Sequence, residues 1–190
     1  MSIIKKFVPY DAYKDIYCID YNKLYSEGMK IILFDLDNTI SRYQDIEPTD
    51  EAINLIKKLK EIGFKVYILS NNNAERIEKT VKKLDILGFS KAKKPLKSGY
   101  KKIIKYLREK ESLKGPEEIV SIGDQVLTDV FGSNRMKIKS ILVVPIHRGT
   151  EKWYTKLNRN TESFIINRMK RKYKDIYIKI KEARGENIER

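Results

Sequence analysis

Two aspartates and a threonine stand directly behind a run of four apolar residues in the first third of the chain. The apolar run covers 31–34, and Asp35, Asp37 and Thr39 follow it at alternate positions. Two carboxylates one residue apart repel each other, and at neutral pH such a pair is stable mainly when a cation or a proton lies between them. The spacing therefore indicates a magnesium-assisted site for phosphoryl chemistry. The alternative is an ordinary turn after a core strand, because Asp and Asn are common turn formers.

Further polar side chains follow other apolar runs. Ser70 and Asn71 come directly after 65–69. A hydroxyl and free backbone amides at a helix start form an anion site, but Ser and Asn are also preferred helix N-caps, and that role alone could explain them. A later apolar run ends just before Asp124, with Asp129 five residues further on, so a second strand end presents carboxylates.

Strands and helices alternate along most of the chain. Continuous apolar runs predict buried strands, and apolar residues at helical spacing, bounded by Gly or Pro, predict helices. The predicted strands cover 31–34, 65–69, 89–92, 119–122 and 140–144. The predicted helices cover 21–27, 48–62, 74–84, 98–110 and 130–135. This alternation predicts a Rossmann-like, doubly wound α/β domain with a parallel sheet of strand order 3-2-1-4-5, whose carboxyl edge would collect Asp35, Ser70, Lys94 and Asp124.

Three segments are predicted along the chain. Residues 1–29 form a lead-in that packs on the domain, residues 30–150 form the α/β domain, and residues 151–190 form a basic, amphipathic helical extension. In the extension, apolar residues recur at alternating spacings of three and four, which predicts one stripe on one helix: Ile166, Met169, Tyr173, Ile176, Ile180 and Ala183. The stripe either packs on the domain or on a second copy, or it docks on a membrane surface or a partner.

The composition is strongly basic. The chain has 40 Lys and Arg against 26 Asp and Glu, a formal net charge of +14. This charge favours an anionic partner, whether a phosphorylated substrate, an anionic membrane face or nucleic acid, although a bias toward Lys, Ile, Tyr and Asn could raise the lysine content without any partner. The single cysteine, Cys18, excludes an internal disulfide and is predicted to be a packed thiol. No apolar stretch is long enough for a signal peptide or a membrane span, so we expect a cytoplasmic protein whose basic patches could contact the inner face of the membrane.

In chain order, the candidate residues resemble the four motifs of the haloacid dehalogenase (HAD) superfamily. The motifs are Asp35-Leu36-Asp37-Asn38-Thr39, Ser70, Lys94, and Asp124 with Asp129. Their surroundings are similar to bacterial YqeG-type phosphatases, a group related to the mitochondrial phosphatases that convert phosphatidylglycerophosphate to phosphatidylglycerol. The similar stretches are Lys93-Lys94-Pro95-Leu96, Gly123-Asp124-Gln125, Thr128-Asp129, Asn134-Arg135 and Val143-Val144-Pro145.

The resemblance implies hydrolysis of a phosphomonoester through a phosphoaspartate intermediate, with Mg²⁺ as the cofactor. It implies that Asp35 is the nucleophile and that Asp37 protonates the leaving oxygen and later takes a proton from the attacking water. The metal would be held by the carboxylates of Asp35 and Asp124 and by the backbone carbonyl of Asp37.

The remaining motif residues would bind the phosphate. Ser70, the Asn71 amide and Lys94 would hold the oxygens over which charge spreads in the transition state. Asp129 would support the site by holding a metal-bound water or Lys94, or it would only cap the helix that follows.

The spacing of the motifs predicts an open site. Only 30 residues separate Thr39 from Ser70, which is enough for a loop and a crossover helix but not for a cap domain. Without a cap, specificity would come from the bulk of the substrate, which favours a macromolecule or a lipid headgroup. The relatives suggest phosphatidylglycerophosphate, although Leu36 stands where the mitochondrial members have a lysine. The alternatives are a phosphorylated protein, nucleotide or sugar, or a basic RNA- or ribosome-binding module on this scaffold, for which no recognised nucleic-acid motif is present.

Overall fold

A computed structural model describes residues 3–45, 47–147 and 153–187, except for the side chains of 153–160. It contains a parallel sheet of six strands in the order β1-β6-β5-β2-β3-β4. The strands are β1 (Asp11–Tyr13), β2 (Ile31–Phe34), β3 (Lys65–Leu69), β4 (Leu87–Phe89), β5 (Ile119–Gly123) and β6 (Lys139–Val143). The helices are α1 (Tyr21–Ser26), α2 (Asp50–Ile62), α3 (Ala74–Leu84), α4 (Lys97–Lys110), α5 (Phe131–Asn134), α6 (Trp153–Met169) and α7 (Lys174–Ala183). The predicted α/β fold and the order of its five strands are confirmed.

The central strand β2 is covered on both faces. All four of its side chains are buried. Ile32 and Phe34 pack in a cluster that includes residues of α1, α2 and α3, whereas Ile31 and Leu33 pack against α4. A strand between two helical layers needs apolar side chains at every position, which is why its sequence is continuous rather than alternating.

The helix ends follow the capping signals of the sequence. The Thr49 hydroxyl accepts a hydrogen bond from the Ala52 N–H at 3.2 Å and caps α2. The same helix ends at Gly63, whose φ of +110° lies in the left-handed region that glycine favours. The stub predicted at 130–135 is α5, preceded by a π-helical turn at Val126–Val130.

Two differences from the prediction lie at the edges of the sheet. The strand predicted at 89–92 lies instead at Leu87–Phe89, because Lys91 and Lys93 adopt positive φ angles of 49° and 53° that turn the chain out of the sheet. The predicted lead-in contributes β1, a sixth strand that pairs in parallel with β6.

The C-terminal segment forms two helices, so the prediction of a single helix is wrong. α6 ends at Met169, and the chain turns before α7 begins at Lys174. Because of this turn, both halves of the apolar stripe reach one cluster on the domain, where Met169 and Ile180 pack with Ala12 of β1. Within the described ranges, no helix has both the length and the apolar character needed to cross a membrane.

Cys18 is exposed, so the prediction of a packed thiol is also wrong. It ends a short 3-10 turn, in which the Asp15 carboxylate accepts hydrogen bonds from the N–H groups of Tyr17 and Cys18. The turn directs Ile16 and Ile19 into the core and leaves the residues between them at the surface.

Candidate active site

The carboxyl ends of β2, β3 and β5 bring three predicted site residues to one edge of the sheet. β2 pairs in parallel with both β3 and β5. Asp35, Ser70 and Asp124 are each the first residue beyond one of these strands. The Asp35 N–H donates to the Ile122 carbonyl oxygen at 2.8 Å, which extends the strand pairing as far as the aspartate.

Lys94 reaches the same edge from the loop after β4. Its Nζ lies 2.5 Å from Asp35 Oδ1 and 2.6 Å from Asp129 Oδ1. Burial alone would lower the pKa of Lys94, but the Asp129 and Asp35 carboxylates outweigh it and raise this pKa, so the ammonium remains charged. Of the alternatives for Asp129, the structure shows the contact with Lys94.

Asn71 fixes the backbone of Lys94. Its side-chain amide donates to the Lys94 carbonyl oxygen at 3.0 Å and accepts from the Lys94 N–H at 2.6 Å. Beyond the lysine, Arg135 Nη1 donates to the Pro95 carbonyl oxygen at 3.2 Å. The loop that carries Lys94 is therefore held on both sides, and its ammonium has a defined place in the site.

Three carboxylates meet beside this ammonium. Asp35, Asp124 and Asp129 each offer an oxygen, and these oxygens lie within 4.8 Å of one another. When all three are ionised, they and Lys94 leave two negative charges without balance, which a divalent cation would supply. Carboxylate oxygens are also ligands that Mg²⁺ prefers. The donor set therefore fits a hard divalent cation. Among the described residues, the cluster does not include the Asp37 carboxylate, whose implied metal ligand is its backbone carbonyl.

The surroundings of Asp35 shift its ionisation. Burial raises the pKa of the Asp35 carboxyl to about 7; Lys94 opposes this rise, while Asp129 and Asp37 add to it. A cation beside the carboxylates would favour the ionised form, which is the form that can act as a nucleophile.

Asp37 faces other partners. Its Oδ1 accepts a hydrogen bond from Arg76 Nη2 at 2.9 Å, and its Oδ2 accepts a short hydrogen bond from Asn72 Nδ2. Burial raises the pKa of Asp37, and Arg76 opposes that rise. Neither partner was predicted from the sequence. Their position in the sequence could have indicated them, because both lie within six residues of Ser70. Asn72 belongs to the turn after Ser70, and Arg76 belongs to the first turn of α3.

Ser70 is almost fully buried, with 1% of its surface exposed. Its Oγ accepts a hydrogen bond from the Asn72 N–H at 3.2 Å. The N-cap of α3 is Asn73, whose side chain accepts from the Arg76 N–H at 3.0 Å. Helix capping, the alternative explanation for Ser70, is therefore performed by Asn73, and the Ser70 hydroxyl lies at the edge where the carboxylates meet.

The sequence of this chain matches a known phosphatase family. The family described as mitochondrial PGP phosphatase matches residues 2–147, a span that includes every residue of the site. This chain belongs to the mitochondrial PGP phosphatase family. Within the family's relatives, the probable phosphatase YqeG of Bacillus subtilis (strain 168) is 36% identical over 168 residues, which are 88% of this chain and 94% of the relative. The predicted resemblance to YqeG-type phosphatases of the HAD superfamily is confirmed, and the chain is a HAD-type phosphatase.

A more distant relative comes from a plant. The phosphatidylglycerophosphate phosphatase 1, chloroplastic/mitochondrial, of Arabidopsis thaliana is 25% identical over 173 residues, and the matched part is 88% of this chain but 50% of the relative. Among solved structures, the hypothetical protein XCC2798 from Xanthomonas campestris has a TM-score of 0.51 at 13% identity, covering 78% of this chain and 79% of that one. That likeness supports the fold alone.

The geometry of this PGP phosphatase family member separates two kinds of carboxylate. Asp35 lies against an ammonium in a cluster of acids suited to a cation. Asp37, two residues later, is turned toward a guanidinium and an amide. One carboxylate can thus attack an anionic phosphorus centre with cations beside it, while the other stands apart with hydrogen-bond partners of its own, as a group that exchanges protons needs to be.

Proposed function

We propose that this phosphatase is a Mg²⁺-dependent phosphomonoesterase that works through a phosphoaspartate at Asp35. The convergence of Lys94, Asp124 and Asp129 on this carboxylate is the observation that carries the proposal. A carboxylate oxygen of Asp35 attacks phosphorus, the bond from phosphorus to the leaving oxygen breaks, and an acyl phosphate forms. Asp37 gives its proton to the leaving oxygen. It then takes a proton from the water that attacks the acyl phosphate, which releases inorganic phosphate and restores Asp35.

The remaining site residues would hold the metal and the phosphate. Asp35, Asp124 and the Asp37 carbonyl would hold Mg²⁺, which would offset the repulsion between the attacking carboxylate and the phosphate. Asp129 supports Lys94. The groups proposed to bind the phosphate oxygens are the Ser70 hydroxyl, the Asn71 backbone amide and the Lys94 ammonium.

The proposed substrate is phosphatidylglycerophosphate, a lipid whose terminal phosphate lies at a membrane surface. The family description and the name of the plant relative support it. The architecture supports it too, because the described residues between Thr39 and Ser70 form only a loop, α2 and β3, which leaves the site accessible to a large substrate. Leu36 is fully buried in the core, so the position that carries a lysine in the mitochondrial members offers no charge to the substrate here.

The surface around Leu96 is suited to contact with an anionic membrane. Leu96 follows the loop that carries Lys94, and it is 53% exposed. Exposed lysines surround it in the chain, at Lys91, Lys93, Lys97, Lys101 and Lys102. Each lysine near an anionic bilayer contributes about 1 kcal/mol of attraction, and an exposed leucine among them can enter the headgroup region. We therefore propose peripheral contact with the inner face of the membrane from the cytoplasm.

The three predicted segments of the chain are proposed to have different roles. We propose that 30–150 carries the chemistry, while 1–29 and 151–190 cover one edge of the sheet. In support, β1 pairs with β6, and α7 packs against β1 at the end of the strand order.

Hydrolysis of a substrate panel tests the function. The panel contains phosphatidylglycerophosphate in vesicles, a sugar phosphate, a nucleotide and a phosphopeptide, each with and without Mg²⁺. We expect turnover of the lipid only with Mg²⁺ and no turnover by Asp35→Asn. Turnover of every substrate except the lipid would end the lipid proposal, and an active Asp35→Asn variant would end the phosphoaspartate proposal. A wild type that hydrolyses nothing but binds RNA in a salt-dependent way would favour the binding module.

Vesicle sedimentation tests the membrane contact. Leu96→Ser should weaken binding to vesicles containing phosphatidylglycerol, and the wild type should not bind vesicles of phosphatidylcholine. Leu87→Ser is the matched control, because Leu87 is also 53% exposed but begins β4, at the opposite end of the strand from the loop that leads to Leu96. Equal binding by the two variants would contradict the proposed docking surface.

A further inference from the structure

Arg76 connects α3 to the segment that carries Asp37. It lies in the first turn of α3. Its Nη2 donates to Asp37 Oδ1 at 2.9 Å and to the carbonyl oxygens of Arg42 and Tyr43 at 3.2 and 3.1 Å. All three acceptors belong to the chain that leaves β2, so one guanidinium binds the carboxylate together with the loop behind it.

Asn72 binds the other side of the same carboxylate. Its amide nitrogen donates to Asp37 Oδ2, so both oxygens of Asp37 are bound by residues of the segment that follows Ser70. Each carboxylate oxygen has two lone pairs, and these hydrogen bonds therefore leave room for a further partner. The side chains of Asp37 and Arg76 are 18% and 19% exposed, which places the pair in the wall of the site with part of its surface open.

A cleft of about 540 Å³ opens beside this pair. Tyr43 and Gln44 line one side of it, and Asn71, Asn72 and Arg76 line the other. Because Asn71 also belongs to the proposed phosphate site, the cleft borders that site.

We propose that Arg76 is a positioning residue for Asp37: with Asn72, it fixes both oxygens of the carboxylate, so that the leaving oxygen of the substrate meets its proton donor in one orientation. The inference rests on the proposed function, because it gives Arg76 a part in the same reaction. Proton transfer requires the acid within hydrogen-bond reach of the leaving oxygen, and a carboxylate free to rotate meets that condition only part of the time.

The chemistry of the leaving group makes the proposal testable. An alkyl alcohol such as the glycerol of a lipid headgroup leaves as a strong base unless it is protonated, so its departure depends on a well-placed acid. A nitrophenolate is stable without a proton, so its departure does not depend on a well-placed acid. A defect in positioning should therefore slow the formation of the phosphoaspartate from alkyl phosphates far more than from p-nitrophenyl phosphate. The later step, in which water attacks the phosphoaspartate, is the same for both substrates, and kcat/KM does not include it.

The experiment compares kcat and KM for Arg76→Gln on phosphatidylglycerophosphate and on p-nitrophenyl phosphate with Mg²⁺ present. We expect kcat/KM for the alkyl phosphate to fall about 10- to 100-fold, because a displacement of about 1 Å can cost that much, while kcat/KM for the aryl phosphate changes less than about threefold. Arg76→Lys keeps a charge but not the planar fork, so it should recover only part of the loss. Lys82→Gln, an exposed change on the same helix, is the control and should match the wild type.

A double variant separates positioning from other roles. If Arg76 acts through Asp37, Arg76→Gln should add little to the loss that Asp37→Asn already causes with the alkyl phosphate. Equal losses of kcat/KM on both substrates would overturn the proposal, because they would indicate a structural role or, where the loss comes from a raised KM, direct phosphate binding. A wild type without turnover would instead overturn the proposed function, and the inference with it.

Discussion

Replacing Lys94 with methionine should lower the free energy of unfolding by about 3–5 kcal/mol when divalent cations are absent. Methionine is close to lysine in length and volume, so the change removes the charge with little change in packing. The ammonium lies 2.5 Å from Asp35 and 2.6 Å from Asp129, and the side chains of Lys94 and Asp129 are each only 4% exposed. The magnitude follows because a buried carboxylate that loses its partner keeps its desolvation cost without the attraction that offset it.

Urea unfolding in the presence of a chelator measures this loss. Lys105→Met is the matched control, because Lys105 also forms an ion pair. Its 3.9 Å contact with Glu109, however, joins side chains that are 79% and 57% exposed. That control should change the unfolding free energy by less than about 1 kcal/mol. Asp129→Asn and the double variant complete a cycle, in which the two changes should couple by about 0.5–3 kcal/mol because the residues share one buried contact.

Two results would refute the reasoning about Lys94. The first is a loss in Lys94→Met no larger than that in Lys105→Met. The second is simple additivity of Lys94→Met and Asp129→Asn. Either would mean that the ammonium is not held between buried carboxylates, and the assignment of Lys94 to the phosphate site would lose its basis.

Three further predictions concern the metal, the lysine loop and the C-terminal helices. Millimolar Mg²⁺ should raise the thermal midpoint of the wild type, because a ligand that binds only the folded state stabilises it, and Asp124→Asn should abolish this rise. Gly99→Ala should lower the unfolding free energy by about 1–3 kcal/mol and also lower kcat, since its Cβ would lie 2.0 Å from the Ala92 carbonyl oxygen and push α4 away from the Lys94 loop. Ile180→Ala should cost about 2–5 kcal/mol in urea unfolding, yet kcat of the folded protein should change little, because α7 packs on β1, and β6 and β5 lie between β1 and the strand that leads to Asp35.

The centre of the fold could be predicted because local signals and long-range packing agree there. β2 is a continuous apolar run, and α2 carries its cap residue Thr49 and its terminal Gly63 in the sequence. The edge strand β1 lacks such a signal. It has only three residues, and its buried Asp11 is stabilised by Lys179 Nζ at 2.8 Å, a partner 168 residues away in the chain. A pairing of that kind cannot be read from either segment alone.

The C-terminal helices show a different limit to what can be predicted from the sequence. A stripe with alternating spacings of three and four is compatible with one long helix or with two helices that continue the same phase. The turn between Met169 and Lys174 contains neither Gly nor Pro, so no local signal marks it. Packing decides the outcome, because the turn lets both halves of the stripe be buried in one cluster.

The site residues were predictable to the extent that strand ends determine them. Parallel strands bring their carboxyl ends together, so the positions of Asp35, Ser70 and Asp124 followed from the order of the strands alone. The partners of Asp37 did not follow in this way. Arg76 reaches Asp37 because the loop after β2 folds back toward α3, and the path of such a loop depends on contacts that the sequence pattern does not encode.

Two residues that follow Asp129, Asn134 and Arg135, connect the lead-in to the loop of Lys94. Asn134 Nδ2 donates to the carbonyl oxygens of Lys6 and Val8 at 3.0 and 2.8 Å, which fastens the segment leading to β1. Its neighbour Arg135 donates to the Pro95 carbonyl oxygen next to Lys94. The end of α5 therefore links the lead-in to the lysine loop, and Asp129 lies just before the same short helix. Because α5 joins these contacts, we expect a displacement of the lead-in to shift the loop of Lys94, whose ammonium faces Asp35.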